Sequence, residues 1–247
     1  MNMIEAFEAE RDEAIKQMTK DTNVKEKSIE WLNLTGNYKY SYNFKWLGRP
    51  IIQMPTDIVA LQEIIWEIKP DLIIETGVAH GGSIIFYASM LELIGEDGKV
   101  LGIDIDIRSH NRVEIENHKM IKRIEMIEGS SIDKKTLEKV EDIAKNRKCI
   151  MVILDSCHTH EHVFEELKAY SKFVTEGSYL VVLDTAVEFI SGELSEDRPW
   201  GKGDNPWTAT QAFLETTQDF EIDQRIPDKL LLTAAYDGYL RRVKCSD

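Results

Sequence analysis

The sequence predicts an α/β fold built on a mostly parallel sheet, and three observations lead to this prediction. From residue 56 onward, short apolar segments alternate with segments of helical period, as in chains of β–α units. The apolar segments are hydrophobic along most of their length, which indicates strands covered on both faces. Near the end of the chain two strand candidates follow each other, and the pair Asp237-Gly238 favours a hairpin turn and an antiparallel edge.

The N-terminal part of the chain lacks this alternation. Residues 3–20 predict a charged helix. Residues 28–55 are rich in aromatic and turn residues without a clean period, so we expect either an irregular cap over a site or a contact between subunits. We therefore divide the chain into an N-terminal segment, residues 1–55, and a main domain, residues 56–247.

Each element of the main domain has its own signal. The first helix begins at the cap signal Thr56-Asp57 and ends before Pro70, and the second ends at Gly95. The predicted helices are residues 56–69, 81–95, 133–147, 160–174 and 205–217. The predicted strands are residues 71–76, 99–106, 124–130, 149–156, 177–185 and 220–225, and the hairpin lies within residues 230–243. Ligands of such sheets bind at the carboxyl ends of the parallel strands.

Composition excludes some classes of partner. The chain has 44 acidic and 30 basic residues and a net charge of −14, which argues against binding to nucleic acid or to an anionic membrane. Three cysteines, Cys149, Cys157 and Cys245, lack the spacing of a zinc site and suggest free thiols in a reducing compartment. The N-terminus lacks the apolar core of a signal peptide, and no apolar run is long enough to span a bilayer, so we expect a cytoplasmic protein.

The stretch "IIETGVAHGGS", residues 73–83, predicts a ligand-binding loop after the first strand of the main domain. It has no lysine for a Walker loop, and its glycine spacing fits a dinucleotide fingerprint poorly. Glu75, expected at the mouth of the loop, would repel a pyrophosphate but suits S-adenosylmethionine, which carries a sulfonium and an ammonium group. We therefore predict a methyltransferase cofactor loop. Its predicted cofactor-binding residues are Glu75, Gly77, Gly81, Gly82 and Ser83.

The next two strands extend this prediction. Asp104 ends "VLGIDID", and an acidic side chain at this place typically accepts ribose hydroxyls. Asp106 is the alternate residue for that role. Ser130 and Ser131, after the third strand, are expected near the adenine.

Two aspartates end the following strands. Asp155 follows "MVIL" and Asp184 follows "VVL", so the two carboxylates are expected at neighbouring strand ends, where they suit a hard divalent cation such as Mg²⁺. His158, three residues after Asp155, is the candidate general base for a substrate hydroxyl, and a helix-capping role is the alternative. Asp155 is also assigned to the catalytic residues and to the cofactor contacts.

Two further histidines and a cysteine lie next to these residues in the sequence. The spacing of His158, His160 and His162 places them on differing sides of a starting helix, so we expect His160 and His162 to be solvated rather than metal ligands. Cys157 is interpreted as structural.

Several of these motifs together resemble the cephalosporin hydroxylase family over residues 46–243. They are "KPDLIIETGVAHGGSIIFYASML", "GIDID", "GSSID", "LDSCHTHEHVFEEL", "YLVVLDT" and "GYLRR". This family groups with S-adenosylmethionine-dependent O-methyltransferases, including those of rhamnosyl and macrolide sugars. The resemblance implies a seven-stranded, Rossmann-like class I methyltransferase fold.

The resemblance also implies a Mg²⁺ site, which falls on Asp155 and Asp184, with His158 as base. Some members have a glutamate before the second aspartate, where this chain has Leu183, so one expected ligand is missing. The family's substrate-side loop falls on "RPWGKGDNPWTATQAFL". It offers Trp200, Lys202, Asp204, Asn205 and Trp207 to a sugar.

The resulting hypothesis is an O-methyltransferase that acts on a hydroxyl of a sugar or a glycosylated small molecule, with self-association expected. Two alternatives stay open at this point. A metal-dependent oxygenase would need two histidines and a carboxylate at one iron. A cofactor-binding partner protein without catalysis would fit the loss of a ligand at Leu183.

Overall fold

The structure is a computed structural model that describes residues 2–243, and the predicted free thiol of Cys245 lies outside them. The α-helices are α1 (Met3–Lys20), α2 (Thr22–Gly36), α3 (Pro55–Ile68), α4 (Gly82–Ile94), α5 (Ser109–Glu116), α6 (Lys134–Ala144), α7 (His160–Tyr170), α8 (Pro206–Thr216) and α9 (Arg225–Leu230). The strands are β1 (Phe44–Trp46), β2 (Arg49–Ile51), β3 (Leu72–Thr76), β4 (Lys99–Asp104), β5 (Ile124–Glu128), β6 (Ile150–Leu154), β7 (Tyr179–Val182), β8 (Phe220–Ile222) and β9 (Tyr239–Arg242).

Seven strands form one sheet in the order β5-β4-β3-β6-β7-β9-β8. The first five are parallel, and β9 runs antiparallel to both of its neighbours. The predicted parallel sheet with an antiparallel C-terminal edge is therefore confirmed. All residues of β3 and β6 are buried, because helices cover both faces of the sheet.

The register of the sheet brings the predicted strand ends to one level. Thr76 pairs with Ile103 on one side and with Leu154 on the other, and Leu154 pairs with Val182. The residues that follow these strands therefore meet at the same edge, with α3 and α4 packed on one face and α6, α7 and α8 on the other.

The prediction of an irregular segment at residues 28–55 is wrong in part. Asp21 accepts hydrogen bonds from the amides of Asn23 and Val24 and so starts α2, which continues to Gly36. A short 3-10 turn then leads into the antiparallel ribbon of β1 and β2. Short polar helices of this kind give little periodic signal, which is also why α5 was not anticipated.

The prediction of a hairpin at Asp237-Gly238 is wrong. Residues 225–230 form α9, and the antiparallel partner of β9 is the earlier strand β8. Gly238 instead precedes β9 where the backbone passes close to β7, since a Cβ there would lie 2.1 Å from the carbonyl oxygen of Val182. Within residues 2–243, no helix is long and apolar enough to cross a membrane.

Candidate active site

A cavity of about 950 Å³ opens at the carboxyl edge of the parallel strands. Its walls come from the end of α2 and from the chain segments that follow β3, β4, β6 and β7. Four of the predicted site residues line it, namely Asp104, Asp155, His158 and Asp184. The described residues that line it do not include Glu75, Gly77, Gly81, Gly82, Ser83, Ser130 or Ser131.

The glycine loop after β3 packs tightly against the loop after β6. Gly77 has φ +91°, and a Cβ there would lie 1.9 Å from the carbonyl oxygen of Asp155. Gly81 has φ +80° and forms the N-cap of α4. These two positions require glycine for conformation and for close approach, so the backbone of the loop sits directly beside the start of the Asp155 segment.

Asp104 holds this loop in place. Its Oδ2 accepts hydrogen bonds from the amides of Val78 at 2.8 Å and Ala79 at 3.1 Å, and its Oδ1 accepts one from the amide of Asp106 at 3.0 Å. The carboxylate therefore fixes the loop and still faces the cavity, where Asp106 lies beside it.

Glu75 lies behind the loop rather than at its mouth. Its side chain is fully buried, Oε2 accepts a 2.6 Å hydrogen bond from the hydroxyl of Ser83, and Oε1 has no hydrogen-bond partner in the described part of the chain. Burial raises the pKa of Glu75 to about 8. The carboxyl is therefore mostly protonated near neutral pH, and its charge is not what would keep a phosphate away.

The N-terminal ribbon supplies a steric reason for excluding a phosphate. Pro50 passes so close to the first turn of α4 that a Cβ on Gly82 would lie 2.1 Å from its carbonyl oxygen. Gly81 and Gly82 are both buried. The start of α4 is therefore packed closely against the ribbon, which leaves little room beside Gly82 for a pyrophosphate.

Ser130 and Ser131 follow β5 away from the cavity wall. Ser131 is buried, its Oγ lies 3.1 Å from Nε2 of His162, and its carbonyl oxygen accepts a 2.8 Å hydrogen bond from the hydroxyl of Tyr170. Its polar groups therefore bind neighbouring protein groups, and the structure does not bring it to the residues that line the cavity.

Asp155, His158 and Asp184 form one cluster at the ends of β6 and β7. Ligand atoms of the three residues all lie within 4.8 Å of one another. Nε2 of His158 is 3.2 Å from Oδ2 of Asp184, and its ring meets the ring of Trp200 edge to face at 4.7 Å. The predicted pair of aspartates is thus together, and the predicted base lies beside them.

The electrostatics of this cluster favour a cation or a shared proton. Burial and then the charge of Asp184 raise the pKa of Asp155 well above its usual range. Asp184 itself has φ +55°, a strained conformation for a non-glycine residue, and Leu183 before it is buried. Two close carboxylates and one imidazole can bind a divalent cation or orient a hydroxyl for proton transfer.

Comparison with known proteins identifies the family. The model of the family Rhamnosyl O-methyltransferase/CmcI matches residues 38–243. The chain belongs to this family. Curated relatives include the Rhamnosyl O-methyltransferase of Mycobacterium leprae, 32% identical over 209 residues, which are 84% of this chain and 86% of that protein. The protein of the same name from Mycobacterium tuberculosis strain H37Rv is 30% identical over 189 residues, 76% of this chain and 73% of that protein.

Solved structures share the fold. A structure of CmcI with Mg and SAM has a TM-score of 0.58 at 21% identity and covers 82% of this chain and 78% of its own. An O-methyltransferase from Bacillus cereus in complex with SAH has a TM-score of 0.51 at 16% identity and covers 84% and 87%. The resemblance to the cephalosporin hydroxylase family, and the class I methyltransferase fold it implied, are confirmed.

His160 and His162 are partly buried and contact protein groups, contrary to the prediction from the sequence that they are solvated. His160 begins α7, its amide donates a 2.7 Å hydrogen bond to Asp204, and its Nδ1 lies 2.8 Å from the hydroxyl of Thr208. His162 is half-buried beside Glu166, whose carboxylate raises the pKa of His162. Neither joins the cluster, so the described residues bring one histidine and two aspartates together rather than an iron triad with two histidines.

The predicted substrate-side loop of this family member contributes two residues, Arg198 and Trp200, to the cavity. Trp200 lines it, whereas Lys202 is exposed and Asp204 caps α7. Asn205 is buried and caps α8 through the amides of residues 207 and 208. Trp207 donates from Nε1 to Asp237. The last three serve packing and capping, which a polar, aromatic sequence does not distinguish from sugar binding.

Sequence reasoning missed Asp57, a buried carboxylate that also lines the cavity. It accepts hydrogen bonds from the hydroxyls of Thr233 and Tyr239 and from the amide of Ala234. In the same loop, the carbonyl oxygen of Tyr236 accepts a hydrogen bond from the hydroxyl of Thr185, which is next to Asp184. The cap signal at Thr56-Asp57 placed this residue at a helix start but gave no sign of partners about 180 residues away.

Proposed function

We propose that this family member transfers a methyl group from S-adenosylmethionine to a hydroxyl of a sugar or a glycosylated small molecule. The observation that carries the proposal is the cluster of His158, Asp155 and Asp184 in the same cavity as Asp104. A base and a nucleoside-binding carboxylate must face one space if methyl donor and acceptor are to meet there. The relatives named Rhamnosyl O-methyltransferase support a sugar as acceptor.

The residues present fit the donor. The cavity of about 950 Å³ is large enough for a nucleoside with an amino-acid tail and a sugar together. Asp104 and Asp106 offer carboxylate oxygens to ribose hydroxyls, and the loop of residues 77–83, backed by Glu75, would bound the methionine end. Gln53, on the same wall, has a buried Oε1 without a donor among the described residues. When bound, S-adenosylmethionine supplies an electrophilic methyl group on a sulfonium.

Residues of this chain then prepare the acceptor. Nε2 of His158 lies 3.2 Å from Asp184. In the proposed mechanism this nitrogen carries the hydrogen, and Nδ1 accepts the proton of a sugar hydroxyl. Asp184 fixes the ring and stabilises the imidazolium that results. Trp200, packed against His158, offers an aromatic face on which a sugar ring can stack.

A divalent cation such as Mg²⁺ fits the carboxylate oxygens of Asp155 and Asp184. The imidazole nitrogen of His158 is the weaker ligand for so hard an ion, so the histidine stays available as base. When bound, the cation lowers the pKa of a coordinated hydroxyl. With Leu183 apolar, the protein supplies two carboxylates, and water or substrate oxygens complete the shell.

The test begins with binding. Calorimetry should show S-adenosylhomocysteine binding to the full chain, with NAD failing to bind, because Pro50 covers the helix N-terminus. A second assay should show methyl transfer from S-adenosylmethionine to a rhamnoside. Binding of NAD together with failure of S-adenosylhomocysteine would overturn the proposal, and binding without transfer to any sugar would leave the non-catalytic alternative.

We further propose that the protein self-associates through α1 and works in the cytoplasm. Helix α1 has no buried residue in the described chain and exposes Met3, Ile4 and Phe7. Its first half is mainly acidic and its last turns carry Lys16 and Lys20, so an antiparallel second copy matches its charges. Phe7→Glu should lower the mass seen by light scattering, whereas Leu93→Glu, a matched exposed position, should not. An equal mass for both variants would refute this interface.

The proposed cytoplasmic location is a separate point, and fluorescent tagging of the protein in cells tests it.

A further inference from the structure

The ribbon of β1 and β2 is built into the wall of the glycine loop. Trp46 donates a 3.0 Å hydrogen bond from Nε1 to the hydroxyl of Ser89 in α4, and its ring meets Phe86 edge to face at 4.7 Å. Pro50 lies against Gly82 at the start of the same helix. The N-terminal segment therefore packs directly on α4, the helix that follows the glycine loop.

Arg49 reaches from this ribbon to the loop itself. Its Nε and Nη2 donate to the carbonyl oxygen of His80 at 3.1 and 2.8 Å, and Nη2 also donates to Oδ1 of Asn111 at 2.9 Å. Nη1 lies 3.7 Å from the carboxylate of Glu114. With 13% of its side chain exposed, the guanidinium joins the ribbon to the loop, and it reaches α5 at the buried Asn111 and the exposed Glu114.

The loop needs such support because its backbone is strained. Ala79 has φ +45°, which costs an alanine about 1 kcal/mol. Its amide is held by Asp104, and its carbonyl oxygen accepts a 3.0 Å hydrogen bond from Nδ2 of Asn111. Since Arg49 binds both the next carbonyl and the side chain of Asn111, its removal would release the loop on two sides.

Charge and shape make arginine specific to this place. The planar fork donates two N–H groups to one carbonyl oxygen, and the same guanidinium donates to a second partner, the side chain of Asn111. A lysine offers a point charge and cannot span His80 and Asn111 in this way. Arg49 is not among the described residues that line the cavity, so any effect on a ligand must pass through the loop.

We propose that Arg49 is a positioning residue of the donor site, which fixes the loop of residues 77–81 from the N-terminal ribbon through His80 and Asn111. This rests on the proposed function, in which that loop bounds S-adenosylmethionine. It gives residues 44–51 a role in donor binding. The family match, which begins at residue 38, includes this ribbon.

The experiment compares Arg49→Met and Arg49→Lys with Arg112→Met in the full chain. Arg112 lies on α5, the helix that Arg49 contacts, and its guanidinium forms surface ion pairs with Glu116 and Glu128. Two measurements are made on each protein: calorimetry with S-adenosylhomocysteine, and hydrogen exchange of the amides of residues 78–81 against those of β6 and β7.

We expect Arg49→Met to bind S-adenosylhomocysteine at least tenfold more weakly and to exchange the loop amides at least tenfold faster, with β6 and β7 unchanged. Arg49→Lys should recover little of either, and Arg112→Met should stay within twofold of the wild type. Affinity and loop exchange within twofold of wild type in Arg49→Met overturn the inference, and so does equally faster exchange in β6 and β7. If Arg49→Met does not fold, Arg49→Lys decides on the same criteria.

The two proposals fail in different ways. A wild-type chain that does not bind S-adenosylhomocysteine refutes the proposed function and with it the role in donor binding. The exchange comparison still shows whether Arg49 holds the loop.

Discussion

Nε2 of His158 lies 3.2 Å from Oδ2 of Asp184, across the gap between the ends of two neighbouring parallel strands. A carboxylate at this distance favours the tautomer with hydrogen on Nε2, which would leave Nδ1 as the acceptor. The same two residues, with Asp155, form the described cluster with ligand atoms close enough for one ion. In the proposed mechanism, proton transfer and metal binding therefore depend on one geometric relationship, and substitutions can separate them.

Removing the base should abolish turnover without affecting the donor. We expect His158→Ala to lower kcat for methyl transfer by about 10²- to 10⁴-fold, the usual contribution of a general base, with affinity for S-adenosylhomocysteine unchanged. Asp184→Asn should lower kcat less than this, since the imidazole remains. His110→Ala, at an exposed position on α5, serves as the control. Turnover by His158→Ala at the control rate would remove the histidine from the mechanism.

Glu75 should make stability fall as pH rises. Its folded-state pKa of about 8 is above the value of about 4.3 for an unfolded chain. Between these values the folded state holds a proton that the unfolded state has released, so the free energy of unfolding decreases with pH. Glu75→Gln has no titrating carboxyl at this position. Its free energy of unfolding should therefore rise relative to that of the wild type by about 1.4 kcal/mol per pH unit between pH 5 and pH 8.

Urea unfolding at several pH values measures this difference. The exposed Glu125→Gln is the control, and it should follow the wild type at every pH. A Glu75→Gln variant that runs parallel to wild type over this range would show that the buried carboxyl is already ionised.

The close passage of the ribbon over α4 should make Gly82 intolerant of a side chain. Gly82→Ala places a methyl group 2.1 Å from the carbonyl oxygen of Pro50, and the overlap should cost about 1–3 kcal/mol of stability. Gly192→Ala meets no atom within 4 Å and should change stability by less than about 0.5 kcal/mol. Thermal unfolding of the two variants measures this, and equal midpoints would mean that the ribbon does not cover the helix.

The parts of the site that the sequence predicted are those set by strand ends. Asp104, Asp155 and Asp184 each follow an apolar strand, and parallel register brings such positions to one edge whatever the loops do. The family was recognisable for the same reason, because its motifs are strand-end motifs.

What the sequence could not predict depends on depth and on distant partners. An acidic residue in a glycine loop looks the same whether it faces solvent or, like Glu75, lies buried behind the loop. His162 has a polar helical neighbourhood in sequence, yet packing places it against Glu166 and Ser131. Arg49 follows a turn with nothing to mark that its carbonyl partner lies 31 residues away.

The last prediction concerns the missing metal ligand. Leu183 is buried, lines the cavity and follows β7 directly before Asp184. Leu183→Glu adds a carboxylate next to Asp155 and Asp184, so we expect at least tenfold tighter Mg²⁺ binding by calorimetry.

Without Mg²⁺ the variant should be less stable than wild type by about 1–3 kcal/mol, because a polar group replaces a buried leucine. Mg²⁺ should restore much of that loss, since ligand binding stabilises the folded state. Leu183→Gln is the matched control: it also replaces the buried leucine by a polar side chain of the same length as glutamate but without charge, and should gain neither affinity nor Mg²⁺-dependent stability. If Leu183→Glu responds to Mg²⁺ no more strongly than Leu183→Gln, the side chain at position 183 does not coordinate the cation. If the wild type also shows no Mg²⁺ binding, the two aspartates do not form a cation site, and the cluster acts through His158 and its proton alone.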